Sequence, residues 1–82
     1  MYKVQLLPSA QKDLDNFKGK ILKQITDKLI SLRNNPYPSG CLKLTAEEGY
    51  RLRSGNYRIL YRIDKKEKTA YIYRIKHRKN AY

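Results

Sequence analysis

The sequence predicts an α+β fold in which a single sheet is covered on one face by an αα-hairpin. Alternating apolar and polar residues indicate a strand at the amino terminus and an antiparallel meander in the second half of the chain. Between them, two segments repeat apolar residues every three or four positions, as helices do. A chain of 82 residues has room for one modest core, so residues 1–82 are expected to form one domain.

The first strand and the helices are bounded by recognisable signals. Residues 2–7 alternate weakly and stop at Pro8, which fits a strand. Ser9 then offers an N-cap hydroxyl to a short helix that should close near Gly19. A second helix of about fourteen residues follows and ends at Asn34-Asn35-Pro36. Its apolar stripe comprises Ile21, Leu22, Ile25, Leu29 and Leu32.

The segment from Tyr50 to Ile63 predicts a β-hairpin. Two alternating runs meet at Gly55-Asn56, residue types that tolerate positive φ and suit a two-residue turn. Such a turn pairs Arg53 with Arg58, Leu52 with Ile59, and Tyr50 with Tyr61. A short extended piece at residues 42–44 and a turn at residues 45–49 precede the hairpin.

The two sides of this hairpin differ in chemistry, because side chains directly opposite each other share a face. The apolar face carries Tyr50, Leu52, Tyr57, Ile59, Tyr61 and Ile63. The other face, called the arginine face below, carries Arg51, Arg53, Arg58 and Arg62 around Leu60.

A last strand over residues 69–76 extends both faces. Pairing apolar residues with apolar residues places Tyr61 opposite Tyr73, Ile59 opposite Ile75, and Arg58 opposite Lys76. This register adds Arg74, Lys76 and Arg78 to the arginine face. The tail, residues 77–82, leaves the sheet at the end where Arg58 lies.

Charge and composition restrict the partners. Nineteen Lys and Arg against seven Asp and Glu give a formal charge of +12, which favours nucleic acid, with an acidic protein or an anionic membrane as alternatives. A membrane is the weaker alternative, since the chain contains no long apolar run and no signal peptide, and we expect a cytoplasmic protein. One Cys and one His exclude an internal disulfide and disfavour a zinc site.

Clustered guanidinium groups suit phosphate, because they bind it in bidentate geometry and stay charged. A solvated strand face is the alternative for one or two arginines. RNA cleavage without metal needs a proton acceptor, cations around the phosphorane and a donor for the leaving 5′-oxygen. Near the arginine face, the candidates for these roles are His77, Tyr82, Lys43 and the arginines themselves.

Several segments in series resemble the RelE/ParE toxin superfamily over essentially the whole chain. They are Ser9-Ala10, Asp13-Leu14, Lys43-Leu44, residues 50–61 and the tail at residues 77–82, whose His-Arg-Lys-x-x-Tyr pattern is similar to that of RelE-like members. The resemblance implies a toxin that cuts mRNA in the ribosomal A site, leaves a 2′,3′-cyclic phosphate and uses no cofactor. It also implies a cognate antitoxin that wraps the toxin and, in complex with it, represses their promoter, so that operator DNA is bound only through that complex.

The resemblance also implies roles for individual residues. In family members, an arginine at the place of Arg58 stabilises the phosphate. Arg78 matches a tail arginine that is assigned to the leaving group, and Tyr82 matches a tyrosine that orients the substrate. Arg51 and Gly49 stand where family members carry lysines proposed as the base, so His77 or Tyr82 is a candidate for that role. The remaining candidates for RNA contacts are Lys43, Arg51, Arg53, Arg74 and Lys76.

Two other functions fit the same sequence. A ParE-like gyrase inhibitor shares the fold, binds a protein and does not need the tail residues. A basic binding module without catalysis is suggested by the two missing lysines.

Overall fold

The structure, a computed structural model, describes residues 1–44 and 49–77. Within this part of the chain there are two helices and five strands. In chain order they are β1 (Lys3–Leu6), α1 (Pro8–Asp15), α2 (Gly19–Asn34), β2 (Leu42–Lys43), β3 (Tyr50–Ser54), β4 (Tyr57–Asp64) and β5 (Thr69–His77). The strands form one sheet in the order β1-β5-β4-β3-β2, which confirms the predicted fold class.

The helix boundaries differ from the sequence-based expectation. Leu7, with extended backbone, is the N-cap of α1, and Pro8 is its first residue, so Ser9 as N-cap was wrong. A proline suits the first helical position, because its φ is already helical and its missing N–H would be unpaired there anyway. Helix α1 ends at Asp15, and Gly19 opens α2 instead of closing α1.

The predicted hairpin register is confirmed. Arg53 pairs with Arg58, Leu52 with Ile59, and Tyr50 with Tyr61. Gly55 adopts a φ of 60° in the turn. On the other side of the sheet, β1 runs parallel to β5, with Leu6 opposite Ile72.

The register between β4 and β5 was only partly predicted. Arg58 pairs with Lys76 and Ile59 with Ile75, as expected, but Tyr61 pairs with Ile72, so its predicted pairing with Tyr73 was wrong. The irregularity leaves one extra residue on β5, which is a β-bulge. A regular strand would turn Ile72 and Ile75 to opposite faces; the bulge lets both be buried.

Helices α1 and α2 cover the apolar face, where the core lies. The buried apolar residues are Ala10, Ile25, Leu29, Leu32, Leu52, Ile59, Tyr61, Ala70, Ile72 and Ile75. Tyr61 donates a hydrogen bond from its hydroxyl to the carbonyl of Pro36 at 2.8 Å, which ties the core to the segment after α2. Neither helix within the described ranges has the length and apolar character needed to cross a membrane.

Candidate functional site

The arginine face presents two rows of side chains that run across three strands. The first row consists of Arg53 on β3, Arg58 on β4 and Lys76 on β5, each directly opposite the next. The second row consists of Arg51, Leu60 and Arg74 on the same three strands. Opposed side chains have Cβ atoms about 5 Å apart, so the first row concentrates three cations within the span of a few nucleotides.

Arg58 lies at the centre of the first row and is only 5% exposed. A guanidinium so enclosed has little freedom to reorient, and cations stand on both neighbouring strands. Clustered cations favour an anion such as a phosphate group at this place.

Arg74, in the second row, has an acidic partner that sequence reasoning missed. Asp13 of α1 accepts a hydrogen bond from the Nε of Arg74 at 2.9 Å and another from the backbone N–H of Ile75 at 2.9 Å. The available signal was position: Asp13 follows the buried Ala10 by three residues, on the side of α1 that packs on the sheet. Asp13 thus partly neutralises Arg74.

His77 lies on the other side of the sheet from these rows. It pairs with Tyr57, whose ring it meets edge-on at 4.9 Å, and Tyr57 in turn meets Phe17 at 4.8 Å. Residues opposite one another share a face, so the position of His77 belongs to the face of Tyr57. At this end of the sheet His77 nevertheless lines one cleft together with Asp13, Arg74 and Lys76.

Lys43 is also separated from the arginines. It pairs with Tyr50 of the apolar face, whereas Leu42 pairs with Arg51. Strand positions alternate between faces, so Lys43 occupies an apolar-face position at the exposed edge of the sheet. The proposed catalytic residues Arg78 and Tyr82 lie outside the described residues.

Gly49 has no room for a side chain. Its φ is 141°, and an added Cβ would lie 2.8 Å from the carbonyl oxygen of Tyr61 and 3.4 Å from the hydroxyl of Tyr73. A lysine at this position, where the family resemblance expects one, would require the backbone of β4 to move. The glycine is therefore built into this fold, and a lysine base cannot occupy its place.

A further contact on the arginine face was not predicted, and it follows from the bulge. The shifted register places Tyr71 opposite Arg62, and the guanidinium stacks over the ring at 4.6 Å from its centre. The hydroxyl of Tyr71 donates a hydrogen bond to a carboxylate oxygen of Glu67 at 2.8 Å. This bond raises the pKa of Tyr71. Glu67 thus brings a carboxylate close to this end of the arginine face.

Metal ligands are not grouped in the described part of the chain. Over residues 1–44 and 49–77, no three His, Cys, Asp or Glu side chains lie close enough together to hold an ion.

Comparison with known proteins identifies the family. The family model described as ParE toxin of type II toxin-antitoxin system, parDE, matches residues 4–82. Among curated proteins, no sequence matches this chain significantly.

Solved structures give the same result. A chain of the RelBE2 toxin–antitoxin complex from Mycobacterium tuberculosis is 31% identical, with a TM-score of 0.83, and the match covers 94% of this chain and 98% of that chain. A chain of the RelE–RelB complex from Pyrococcus horikoshii is 26% identical, with a TM-score of 0.80 and 98% of both chains covered.

A more distant structure shares the fold alone. The YoeB/ParE toxin from Agrobacterium tumefaciens has a TM-score of 0.77 at 14% identity, covering 92% of this chain and 96% of that chain. With nearly the full length matched by the family model and a 31% identical relative covered almost completely, the chain belongs to the RelE/ParE superfamily, the toxins of type II toxin–antitoxin systems.

Proposed function

We propose that this chain is a RelE-like endoribonuclease that cleaves mRNA on the ribosome and so inhibits translation. The observation that carries the proposal is the first row, Arg53–Arg58–Lys76, with its central guanidinium only 5% exposed. The row ends on β5 close to the point where the chain continues into the tail that holds Arg78 and Tyr82. Like charges opposed on a sheet repel one another, and a bound phosphate would relieve that repulsion.

The proposed reaction is the one that the family resemblance implies. The ribose 2′-oxygen loses its proton and attacks the adjacent phosphorus, the bond to the 5′-oxygen breaks, and the products are a 2′,3′-cyclic phosphate and a 5′-hydroxyl. Arg58 stabilises the charge that builds on the phosphorane, and such preorganised donors are typically the largest single contribution to rate. Arg78 stabilises or protonates the leaving oxygen and Tyr82 orients the nucleotide. Contacts to the RNA backbone come from Arg51, Arg53, Arg74 and Lys76.

For the proton acceptor we propose Tyr82 or Lys76. His77 lies on the apolar face and Gly49 cannot carry a lysine in this backbone. An arginine, as at position 51, is a poor acceptor because its guanidinium does not deprotonate in proteins. Lys76 lies directly opposite Arg58, and an amine in its neutral form can accept a proton, whereas a guanidinium does not.

The test is cleavage of message on purified ribosomes. Primer extension on ribosome-bound mRNA should show cuts at defined codon positions with the wild-type chain, and the 3′ ends should carry a cyclic phosphate. Uncut message at saturating toxin would contradict the nuclease assignment and favour the basic binding module without catalysis.

A gyrase inhibitor is the second candidate. The matching family model is described as a ParE toxin of parDE, and two lysines of the RelE-like pattern are replaced by Arg51 and Gly49. Pulse labelling after induction separates the two functions: incorporation of amino acids should stop first for a ribosomal nuclease, whereas incorporation of thymidine should stop first for a gyrase poison.

We also propose an acidic antitoxin segment as the partner. The solved relatives from M. tuberculosis and P. horikoshii are toxin–antitoxin complexes, and a charge of +12 favours a complementary partner. Affinity between this chain and its antitoxin should fall as salt rises from 50 to 500 mM, because added ions screen attraction between exposed charges. An affinity that does not change with salt would contradict the role of charge.

A further inference from the structure

Within residues 1–44 and 49–77, one side of β5 has no neighbouring strand near its end. Strand β1 pairs with β5 from Thr69 to Ile72, and the backbone N–H of Leu7 makes the last bond, to the carbonyl of Ile72 at 2.9 Å. The chain then turns away into α1 at Pro8. Among the described residues, no strand lies beside residues 73–77 on this side, although this segment carries Lys76 of the first row.

The same segment follows the β-bulge. An extra residue bends a strand and increases its twist, so the course of β5 changes at this point. Bonds to β4 hold the inner edge of residues 74–77. The outer edge needs a different partner.

Asp13 supplies that partner from α1. One carboxylate oxygen, Oδ2, accepts from the backbone N–H of Ile75 at 2.9 Å and from the Nε of Arg74 at 2.9 Å. The two donors are neighbours in sequence, immediately after the bulge, and lie 61 and 62 residues from Asp13 along the chain. A single side chain thus joins α1 to the backbone of β5 where β1 no longer reaches.

We propose that Asp13 is a positioning residue for the nuclease centre, an inference that rests on the proposed function. Its carboxylate takes the place of the missing strand at Ile75 and fixes the course of β5 after the bulge. Lys76 is the next residue, so its position opposite Arg58 depends on this bond, as does the point at which the tail begins. A misplacement of about 1 Å in such a centre can lower a rate by as much as about 100-fold.

An ordinary surface ion pair would behave differently. Arg74 is 45% exposed and Asp13 20% exposed, and pairs with that much water access contribute little to stability. The bond to the Ile75 backbone, not the contact with Arg74, is therefore the interaction that the experiment has to isolate.

Four variants of the full chain separate the two contacts. Asp13→Ala removes both, Asp13→Asn keeps an acceptor oxygen for Ile75 but no charge for Arg74, and Arg74→Ala removes only the ion pair. Asp15→Ala is the matched control, because Asp15 lies on the same helix and bonds only to Gln11 among the described residues. Hydrogen exchange at the Ile75 amide reports the bond directly, and single-turnover cleavage on ribosomes reports the rate apart from ribosome affinity.

We expect exchange at Ile75 to rise at least about tenfold in Asp13→Ala and to stay within about threefold in the other three variants, since a free strand-edge amide exchanges through local opening. Cleavage should slow at least about tenfold in Asp13→Ala with ribosome affinity unchanged, and Asp13→Asn should restore most of the rate. Asp15→Ala should cleave like the wild type.

Two results would overturn the proposal. The first is that Asp13→Ala cleaves at the wild-type rate. Asp13 would then have a purely structural role, even if the variant had a lower thermal stability. The second is Asp13→Asn being as slow as Asp13→Ala while Ile75 stays protected, since charge and not the backbone bond would then matter. A wild-type chain that does not cleave at all would remove the proposed function and the positioning role with it, and the exchange measurement would then show only whether Asp13 holds β5.

Discussion

Arg58 and Lys76 lie directly opposite each other on β4 and β5, so a guanidinium and an amine occupy neighbouring positions on the arginine face. The guanidinium can hold charge on a phosphate without ever losing its proton, whereas the amine can also accept one. Neighbouring strands thus place two different functions side by side, and each can be removed separately.

Replacing Arg58 with alanine should abolish toxicity. Loss of one preorganised donor to a developing oxyanion costs about 100- to 1,000-fold in rate, so cleavage should fall by about that factor while the sheet remains folded. Growth after induction and primer extension measure the effect, and Arg78→Ala should relieve growth arrest as well.

Arg33→Ala is the matched control for that experiment, because Arg33 is an exposed arginine on α2, at the opposite side of the sheet. It should remain toxic. Unchanged toxicity of the Arg58→Ala, Arg78→Ala double variant would remove the assignment of a nuclease centre.

Lys76→Arg should separate proton transfer from charge. The variant keeps a cation opposite Arg58 and should bind ribosomes as the wild type does, but it loses the group that accepts a proton. General-base catalysis typically contributes about 100- to 10,000-fold, so single-turnover cleavage should slow by at least about 100-fold at pH 7. A Lys76→Arg chain with the wild-type rate would show that Lys76 only contacts the RNA.

Gly49→Ala should destabilise the fold. Backbone strain at φ 141° and a Cβ 2.8 Å from the Tyr61 carbonyl together predict a loss of about 1 to 3 kcal/mol in the free energy of unfolding. Gly40→Ala is the comparison, because Gly40 has a φ of 92° but no atom within 4 Å of an added Cβ. Urea unfolding of both variants isolates the contact with Tyr61; equal losses would mean that strain alone matters.

Tyr61→Phe should lower the stability of the fold at neutral pH. It should also make that stability less dependent on pH in the alkaline range. The hydroxyl bonds to the Pro36 carbonyl, so its removal should cost about 1 kcal/mol at pH 7. Tyr71→Phe, which removes a hydroxyl bonded to the exposed Glu67, is the control at that pH and should cost less.

The pH dependence follows from burial, which raises the pKa of Tyr61 above that of a tyrosine in the unfolded chain. The folded state therefore keeps a proton that the unfolded state loses above about pH 10. This contribution is complete below pH 10 and is lost as pH rises further, so the stability difference between wild type and Tyr61→Phe should shrink between pH 9 and 11. A constant difference over that range would contradict the burial argument.

Local patterns determined much of this protein. The alternation from Tyr50 to Ile63 and the Gly55-Asn56 turn fixed a register that the structure reproduces pair for pair, because a two-residue turn leaves one way to oppose the strands. The segregation of Arg51, Arg53 and Arg58 from the core followed from the same parity, and the +12 charge came directly from composition.

Tertiary structure determined the features that residue alternation within a single strand does not determine. The bulge on β5 arises because Ile72 and Ile75 both need to be buried under the helices, and it moved Tyr71 to the arginine face. The backbone N–H of Ile75 donates to Asp13, 62 positions away, and helical spacing places Asp13 toward the sheet without specifying which strand residue it meets. Side-chain alternation is a property of neighbouring residues, whereas bulges, edge partners and close approaches such as Gly49 with Tyr61 depend on what the rest of the chain packs against them.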